Sequence, residues 1–539
     1  MMSELERIIE NKIEKMTVEE LCGQVLCFNV DDDWKTDGEL AKFVKEIRPG
    51  GLFLKTANKE KCDRIRKIFL ENTDIAPIFA ADVESGPGVI TGQKDALQQM
   101  AYGAANDPVL TESIYRSCAE ICRKNGVNMT FSPVVDLNMN PDNPVTNIRS
   151  ISENPNLVVK IASAMVRGFQ KDGLVMATCK HFPGDGVDDR NQHFCTTINS
   201  LSAEEWMRTF GVVYKSMFAE DVAAVMVGHI ALPALQDETE YDPILGWLPA
   251  TLSYSLQTKL LKERLGFTGC VVSDAMSMIG ACSAIPIERL CVEFFKAGGD
   301  FMLYPLVEDY YRLIKAVQEG ELPLERMQDA VRRVLYLKAK ARLFESETKV
   351  TEKLSGEDLY ELADKMGEKC VKIVRNAEKL LPLQVQGRKR FLIINLRGEN
   401  DFSTFDTVEK ELVLRGHSVT TLINPKHYEV NEKITEHDVV LVNCKISADD
   451  NVGIGGSLRV RWPQVMTFWR GYIFKHPCVI FTSFGDPYKL YDFPYLKTYV
   501  NAYGFTESIQ KGFVKVLLGE ISSQAIHPVS LKGFFECEA

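Results

Sequence analysis

Val175-Met-Ala-Thr-Cys-Lys180-His181-Phe-Pro-Gly-Asp-Gly-Val-Asp188-Asp189-Arg-Asn191-Gln-His193 passes from an apolar run directly into a cluster of charges set around two glycines and a proline. The run has the length and character of a strand buried on both faces, and the glycines and proline after it specify a loop. Working outward, the same unit recurs. Short apolar runs alternate with longer helical patterns at Gln24–Val30, Gly51–Lys55, Ile78–Glu84, Val127–Asp136, Ala223–His229, Cys270–Asp274 and Asp300–Tyr304. With Val175–His181 they make eight βα units, the number that closes a (β/α)8 TIM barrel. Barrels carry their chemistry at the C-terminal ends of the strands. Five of the eight runs end in charged or imidazole side chains: Asp82 and Glu84, Asp136, Lys180 and His181, His229, and Asp274. Single residues of this kind often only start a loop or cap a helix. Together they read as the mouth of an active site.

Composition bounds the rest. A chain of 539 residues, 45% hydrophobic and 25% charged, buries a large core and divides into two or three domains. The 63 Lys and Arg against 74 Asp and Glu give a net charge of -11, so no bulk positive field exists for nucleic acid or anionic lipid. Neither nucleic acid nor membrane is expected as a partner. No stretch reaches the roughly 18 consecutive apolar residues of a membrane span. The opening Met1-Met2-Ser-Glu-Leu-Glu-Arg lacks the apolar segment of a signal peptide, and a cytoplasmic location is expected. The 14 cysteines are scattered singly, many inside apolar runs, as reduced core thiols would be. Cys118 and Cys122 share a helix face with no further ligand beside them, so neither a metal nor another cofactor is expected.

The barrel, the catalytic domain, is expected over 1–345, closing with the helical stretch Leu324–Leu343. Residues 346–385 read as a helical linker. Over 386–539 the alternation restarts with Phe391–Leu396, Val439–Val442 and Cys478–Thr482 and ends in a helix at Glu507–Leu518, too few units for a barrel. A smaller three-layer α/β/α sandwich is the expected form. His417, His427, His437, His476 and His527 stand beside charged or turn residues and read as solvated. Gly453-Ile-Gly-Gly456 resembles a phosphate cradle faintly, without the lysine or helix start that a P-loop needs.

Two clusters carry chemistry. The Lys180–His193 loop can hold a proton-shuttling histidine, and the rival reading, a metal site, lacks helical His spacing and Cys partners. Gly269-Cys-Val-Val-Ser-Asp274-Ala-Met-Ser-Met278 brings a carboxylate to the mouth, as nucleophile, base or mere helix cap.

In order and surroundings these clusters resemble glycoside hydrolase family 3, in particular its β-N-acetylglucosaminidase (β-hexosaminidase) branch. That branch carries Lys-His-Phe-Pro-Gly-His-Gly and, at a fixed distance, Asp-x-His. Lys180-His181-Phe-Pro-Gly to Asn191-Gln-His193 keeps that length. The family's Ser-Asp-x-x-Ser-Met matches Ser273-Asp274-Ala-Met-Ser277-Met278. Further matches are Asp82-x-Glu84, Ser132-Pro-Val-Val-Asp136 with Asn143-Pro and Arg149-Ser150, Val227-Gly-His229-Ile-Ala-Leu-Pro and Pro249-Ala-Thr-Leu-Ser253. The C-terminal part is similar through Ser483-Phe-Gly-Asp-Pro487, Thr498-Tyr-Val-Asn-Ala-Tyr503 and Pro528-Val-Ser-Leu531.

The resemblance implies a cofactor-independent, retaining, exo-acting β-glycosidase acting on a small carbohydrate. Asp274 is then the nucleophile and His193 the acid/base, paired with residue 191. Asp82, Arg149, Lys180 and His181 hold the sugar, with His229 and Met278 lining its pocket. Three departures bear on this. Asn191 stands where the family has Asp, which leaves Asp188 or Asp189 as substitute partners for His193. Ser85-Gly-Pro87 replaces Gly-Gly-Arg, and Asn147-Ile-Arg149-Ser-Ile replaces Ile-Gly-x-Arg-Ser-Phe. The alternatives are another β-glycoside such as a glucoside, transfer of the sugar to phosphate, and a sugar-binding relative with a decayed dyad.

Overall fold

The computed structural model describes residues 4–29, 36–345, 356–384, 386–398, 405–446, 460 and 462–539; Gly453–Gly456 and Val30 lie outside them. Strands β1 (Leu26–Asn29), β2 (Gly51–Phe53), β3 (Ile78–Ala81), β4 (Met129–Thr130), β5 (Thr178–Phe182), β6 (Ala224–Val227), β7 (Cys270–Ser273) and β8 (Met302–Leu303) fall within the eight apolar runs, except that β5 passes the end of its run by one residue. They pair in parallel as β8-β1-β2-β3-β4 and as β5-β6-β7. Single parallel bridges, Met129 to Met176 and Val272 to Phe301, join the two sheets into a closed ring in chain order. Parallel strands covered by helices are buried on both faces, which is why each reads as an apolar run. The ring interior is filled by Cys27, Phe53, Ala80, Met129, Met226, Val272 and Leu303, all buried.

One charged side chain is enclosed in this unit without an ionic partner to match it. Lys338, on the helix Leu324–Lys340, is fully buried and donates to Gln24 Oε1 at 2.8 Å. Burial pushes its amine down from 10.5 to about 7. The unfolded chain binds this proton up to about pH 10.4, so between about pH 7 and that value the unfolded state holds more protons and stability climbs with pH. Below about pH 7 the full penalty applies. Lys338→Met removes it but leaves Gln24 Oε1 without its donor, a cost of about 1–3 kcal/mol. We expect the variant to melt higher than wild type at pH 7 or below, by about 1–3 kcal/mol net. The difference should shrink and reverse toward pH 10 in parallel melts. A constant difference across that range would mean Lys338 does not titrate there.

The second sheet has six strands: β9 (Lys372–Asn376), β10 (Arg390–Arg397), β11 (Ser418–Ile423), β12 (Val439–Lys445), β13 (Val479–Ser483) and β14 (Thr498–Asn501). Their order is β9-β14-β13-β12-β10-β11, parallel except for β9. Helices Leu359–Gly367, Asp406–Leu414 and Glu507–Leu517 pack together as one layer, and His427–Ile434 with Trp462–Phe468 as another. This is the expected three-layer sandwich. Leu359–Gly367 and Glu507–Leu517 touch backbone to backbone: a Cβ on Gly367 would lie 2.2 Å from Ser508 O, and one on Gly512 2.1 Å from Gly367 O. Only glycine fits at that crossing.

The units differ from the linear division expected over 1–345, 346–385 and 386–539. One comprises Met1–Lys94, Glu112–Asp136 and Ala162–Glu357; the other comprises Asp95–Thr111, Leu137–Ile161 and Asp358–Ala539. Two excursions from the barrel stretch therefore belong with the sandwich. The reason is polar as well as apolar: Asn138 Nδ2 donates to Tyr488 at 2.5 Å, Gln98 Oε1 accepts from Phe505 N–H at 3.0 Å, and Glu153 accepts from Ser530 Oγ at 2.6 Å. The expected linker is also corrected. Of its residues, 346–355 and 385 lie outside the described chain, and the remainder supplies a helix and the edge strand β9. Two of the histidines expected in solvent are buried. His417 is one, and His527 is the other, stacked on Phe535 and pushed by burial down to about 4.

Candidate active site

Asp274 follows the last residue of β7, and its backbone N–H donates to Val227 O at 2.9 Å, tying it to the end of β6. Its Oδ1 accepts the Ala275 N–H at 2.7 Å, and its Oδ2 faces His181 Nε2 at 4.0 Å. Burial works to raise this carboxyl. The His181 and His229 imidazoles, the Ala275 N–H and Lys180 outweigh it and hold the group below the usual carboxylate range. A carboxylate kept ionised at a barrel mouth is equipped to attack an electrophilic carbon.

Lys180 and His181 end β5, where the Lys180–His181 and Phe182–Pro183 peptide bonds are cis. The Lys180 amine, only 5% exposed, lies 3.2 Å from Asp82 Oδ1 and 2.5 Å from Glu84 Oε1. Alternation along an extended chain puts Asp82 and Glu84 on one side, so one ammonium can bridge them. His181 Nδ1 meets Asp136 Oδ2 at 2.7 Å. Asp136 is fully buried and also accepts the backbone N–H groups of His181 at 3.0 Å and Asp185 at 2.8 Å. An acceptor-only carboxylate fixes the His181 proton on Nδ1 and leaves Nε2 toward Asp274.

His229 is held as a hydrogen-bonded structural histidine. It is fully buried; Nδ1 meets Thr251 Oγ1 and Nε2 meets Ala275 O, both at 3.0 Å. A carbonyl only accepts, so Nε2 carries the proton and Nδ1 receives the hydroxyl's. Burial holds its pKa down. Both nitrogens are used inside the protein, so His229 braces the turn after Asp274 instead of offering a nitrogen to a ligand. Met278 lies half-buried beyond that turn.

The loop after β5 carries His193. Its Nδ1 lies 2.7 Å from Asn191 Oδ1, and its backbone N–H donates to the same oxygen at 2.9 Å. The second bond settles the first. A backbone N–H can only donate, so the amide oxygen faces it and Nδ1 is the ring donor, while Asn191 makes no contact with Nε2. In the serine-protease triad an Asp→Asn exchange costs about 10⁴ by favouring the wrong tautomer. Here, turning the amide would aim its NH₂ at an N–H. The substitute partners are engaged elsewhere or exposed: Asp188 pairs with Arg190 at 2.6 Å and accepts Ile198 N–H at 2.7 Å, and Asp189 is exposed.

The structure thus brings Asp82, Lys180, His181, His229 and Asp274 into one connected set, with Asn191 and His193 paired on the loop. Arg149 belongs to the second unit, where its guanidinium donates to Val145 O at 3.0 Å. Glu84 and Asp136 complete the set, although the sequence assigned them no contact of their own. Pro87, where the resembling pattern has Arg, is buried. Among the described residues, no three His, Cys, Asp or Glu side chains form a metal set, and no helix is long and apolar enough to cross a membrane. None of the 14 cysteines is in a disulfide.

Residues 8–337 match the glycosyl hydrolase family 3 N-terminal domain. A β-N-acetylglucosaminidase/β-glucosidase of Cellulomonas fimi is 29% identical over 97% of this chain and 95% of its own. A solved β-glucoside phosphorylase superposes with a TM-score of 0.86 at 26% identity, over 98% of this chain and 97% of that one. The fold is shared with a family 3 β-N-acetylglucosaminidase from Paenibacillus sp. str. FPU-7, at a TM-score of 0.78 and 24% identity over 95% of this chain and 98% of that one.

Proposed function

The chain belongs to glycosyl hydrolase family 3, and from that premise we propose that it is a retaining, exo-acting β-glycosidase releasing terminal β-linked N-acetylglucosamine from short oligosaccharides or cell-wall fragments. The carrying observation is the division of labour between two groups: Asp274, whose carboxyl is held below the usual carboxylate range, and His193, whose ring is oriented through Nδ1 by Asn191. Asp274 attacks the anomeric carbon while His193 gives its Nε2 proton to the departing oxygen, forming a glycosyl-enzyme. Water then gives a proton back to Nε2 and attacks the same carbon, releasing Asp274 and a sugar of retained configuration. The imidazole left after the first step is the Nδ1–H form, the one Asn191 Oδ1 already holds. Asp82, Lys180 and His181 supply donors and acceptors for sugar hydroxyls.

Phosphate as acceptor is a second reading, favoured by the neutral side chain at Asn191. A phosphate dianion approaching the glycosyl-enzyme meets an amide there and not a carboxylate. The similarity to a β-glucoside phosphorylase points the same way.

The test compares aryl β-N-acetylglucosaminide with aryl β-glucoside, each with and without inorganic phosphate. Faster turnover of the first, with free sugar as product, is the expected result. A sugar 1-phosphate product would establish the second reading. Sugar binding with turnover of neither would overturn both in favour of a binding protein.

A further inference from the structure

The geometry points to Gln192, the residue between Asn191 and His193, as the positioning residue that seats the loop bearing them; this rests on the proposed acid/base role of His193. Gln192 is 1% exposed in a loop otherwise written in charges and glycine. Its Oε1 accepts the backbone N–H of His229 at 2.8 Å, and its Nε2 donates to Asp185 Oδ2 at 3.3 Å. Asp185 is itself buried, with its N–H on Asp136 Oδ1 at 2.8 Å and its Oδ1 on Gly186 N–H at 2.7 Å. Asp136 orients His181, and His229 braces Ala275. Gln192 therefore joins a circuit of contacts around Asp274: one arm runs by hydrogen bonds through Asp185 and Asp136 to His181, 4.0 Å from the Asp274 carboxylate, and the other through His229 to Ala275.

The backbone is seated by the same contacts. Ile279 N–H donates to His193 O at 3.1 Å and Thr196 Oγ1 to Gly280 O at 2.9 Å. Gly280 leaves room for the loop: a Cβ there would stand 2.3 Å from Gln192 O. With the side chain of 192 directed inward and its backbone held, its two neighbours are turned outward and given one orientation. The circuit includes a departure of this chain, because Asp185 stands where the resembling pattern has His.

Gln192→Ala, Gln192→Glu and the paired exchange Gln192→Glu with Asp185→Asn test this. Each is assayed on the aryl β-glycoside that wild type turns over, once with a phenol leaving group and once with 2,4-dinitrophenol, whose departure needs no proton. The single variants are expected to lose about 100-fold in kcat for the phenyl substrate and several-fold or less in the glycosylation burst for the dinitrophenyl one. The paired exchange restores a donor at 185 facing an acceptor at 192 and should recover most of the phenyl activity. Amide hydrogen exchange over residues 184–198 should quicken in Gln192→Ala by more than over the rest of the chain, an arm that needs no substrate and holds even if the glycone proposal fails. Equal losses on both substrates, no loss on either, or unchanged exchange would overturn the assignment.

Discussion

Asp274→Ala is expected to lower kcat on an aryl β-N-acetylglucosaminide by at least about 10⁴-fold, because removal of a nucleophile takes the covalent route with it and leaves only binding and acid catalysis. The substitution deletes one acceptor for Ala275 N–H but keeps the backbone bond to Val227, so the strand end stays in place and Tm should change little. A 2-fluoro or 5-fluoro glycosyl trap should label wild type at Asp274 and leave the variant unlabelled. The pH profile gives an independent check. With the carboxyl held below its usual range, the acid limb set by Asp274 lies below that range too. The same shift contributes stability at pH values above the unfolded carboxyl's pKa, and that stability is lost as pH falls through the folded value. Retention of more than a few per cent of wild-type turnover in Asp274→Ala, or labelling at another residue, would remove Asp274 from the role.

That this residue could be singled out at all reflects what burial writes into a sequence. Parallel strands enclosed on both sides must be apolar along their whole length, so all eight barrel strands were legible and the charged or imidazole residues ending five of them stood out. The sandwich was less legible where that constraint relaxes. β9 and β11 are its two edge strands, half-exposed throughout, and Ser418-Val-Thr-Thr-Leu-Ile lacks an uninterrupted apolar run. The discontinuous units were invisible because adjacency in sequence does not say which surface a segment covers: Asn138, Gln98 and Glu153 find their partners about 350 to 410 positions away. Within the site, Lys180, His181 and Asp274 were readable as charges on apolar strands. Gln192 was not, since a glutamine in a polar loop carries no sign that it is buried, and His229 looked like a pocket histidine until both nitrogens had partners.

His193→Ala carries the second large effect, and its signature is selective. A positioned acid/base contributes about 10²–10⁴-fold when the leaving group needs a proton and little when it does not. For a phenyl glycoside we expect a kcat loss in that range. For the dinitrophenyl glycoside, glycosylation should survive and the slow step move to hydrolysis of the glycosyl-enzyme, seen as a burst of phenolate followed by a slow steady state. A loss equal for both leaving groups would mean that His193 shapes the site without moving a proton. Asn191→Asp then separates charge from geometry. The amide oxygen already sets the tautomer, so a carboxylate changes only the electrostatics. An opposite charge in contact favours the imidazolium by about 1–3 pH units, and the basic limb of the profile should move up by that amount. The same charge lies where a phosphate acceptor approaches, so any phosphate stimulation should fall in this variant while hydrolysis holds or rises. If phosphate stimulation is present and survives the exchange unchanged, the neutral residue at 191 is not what admits the anion. In that case Lys180 and His181, which stand beside Asp274, are the groups to vary next.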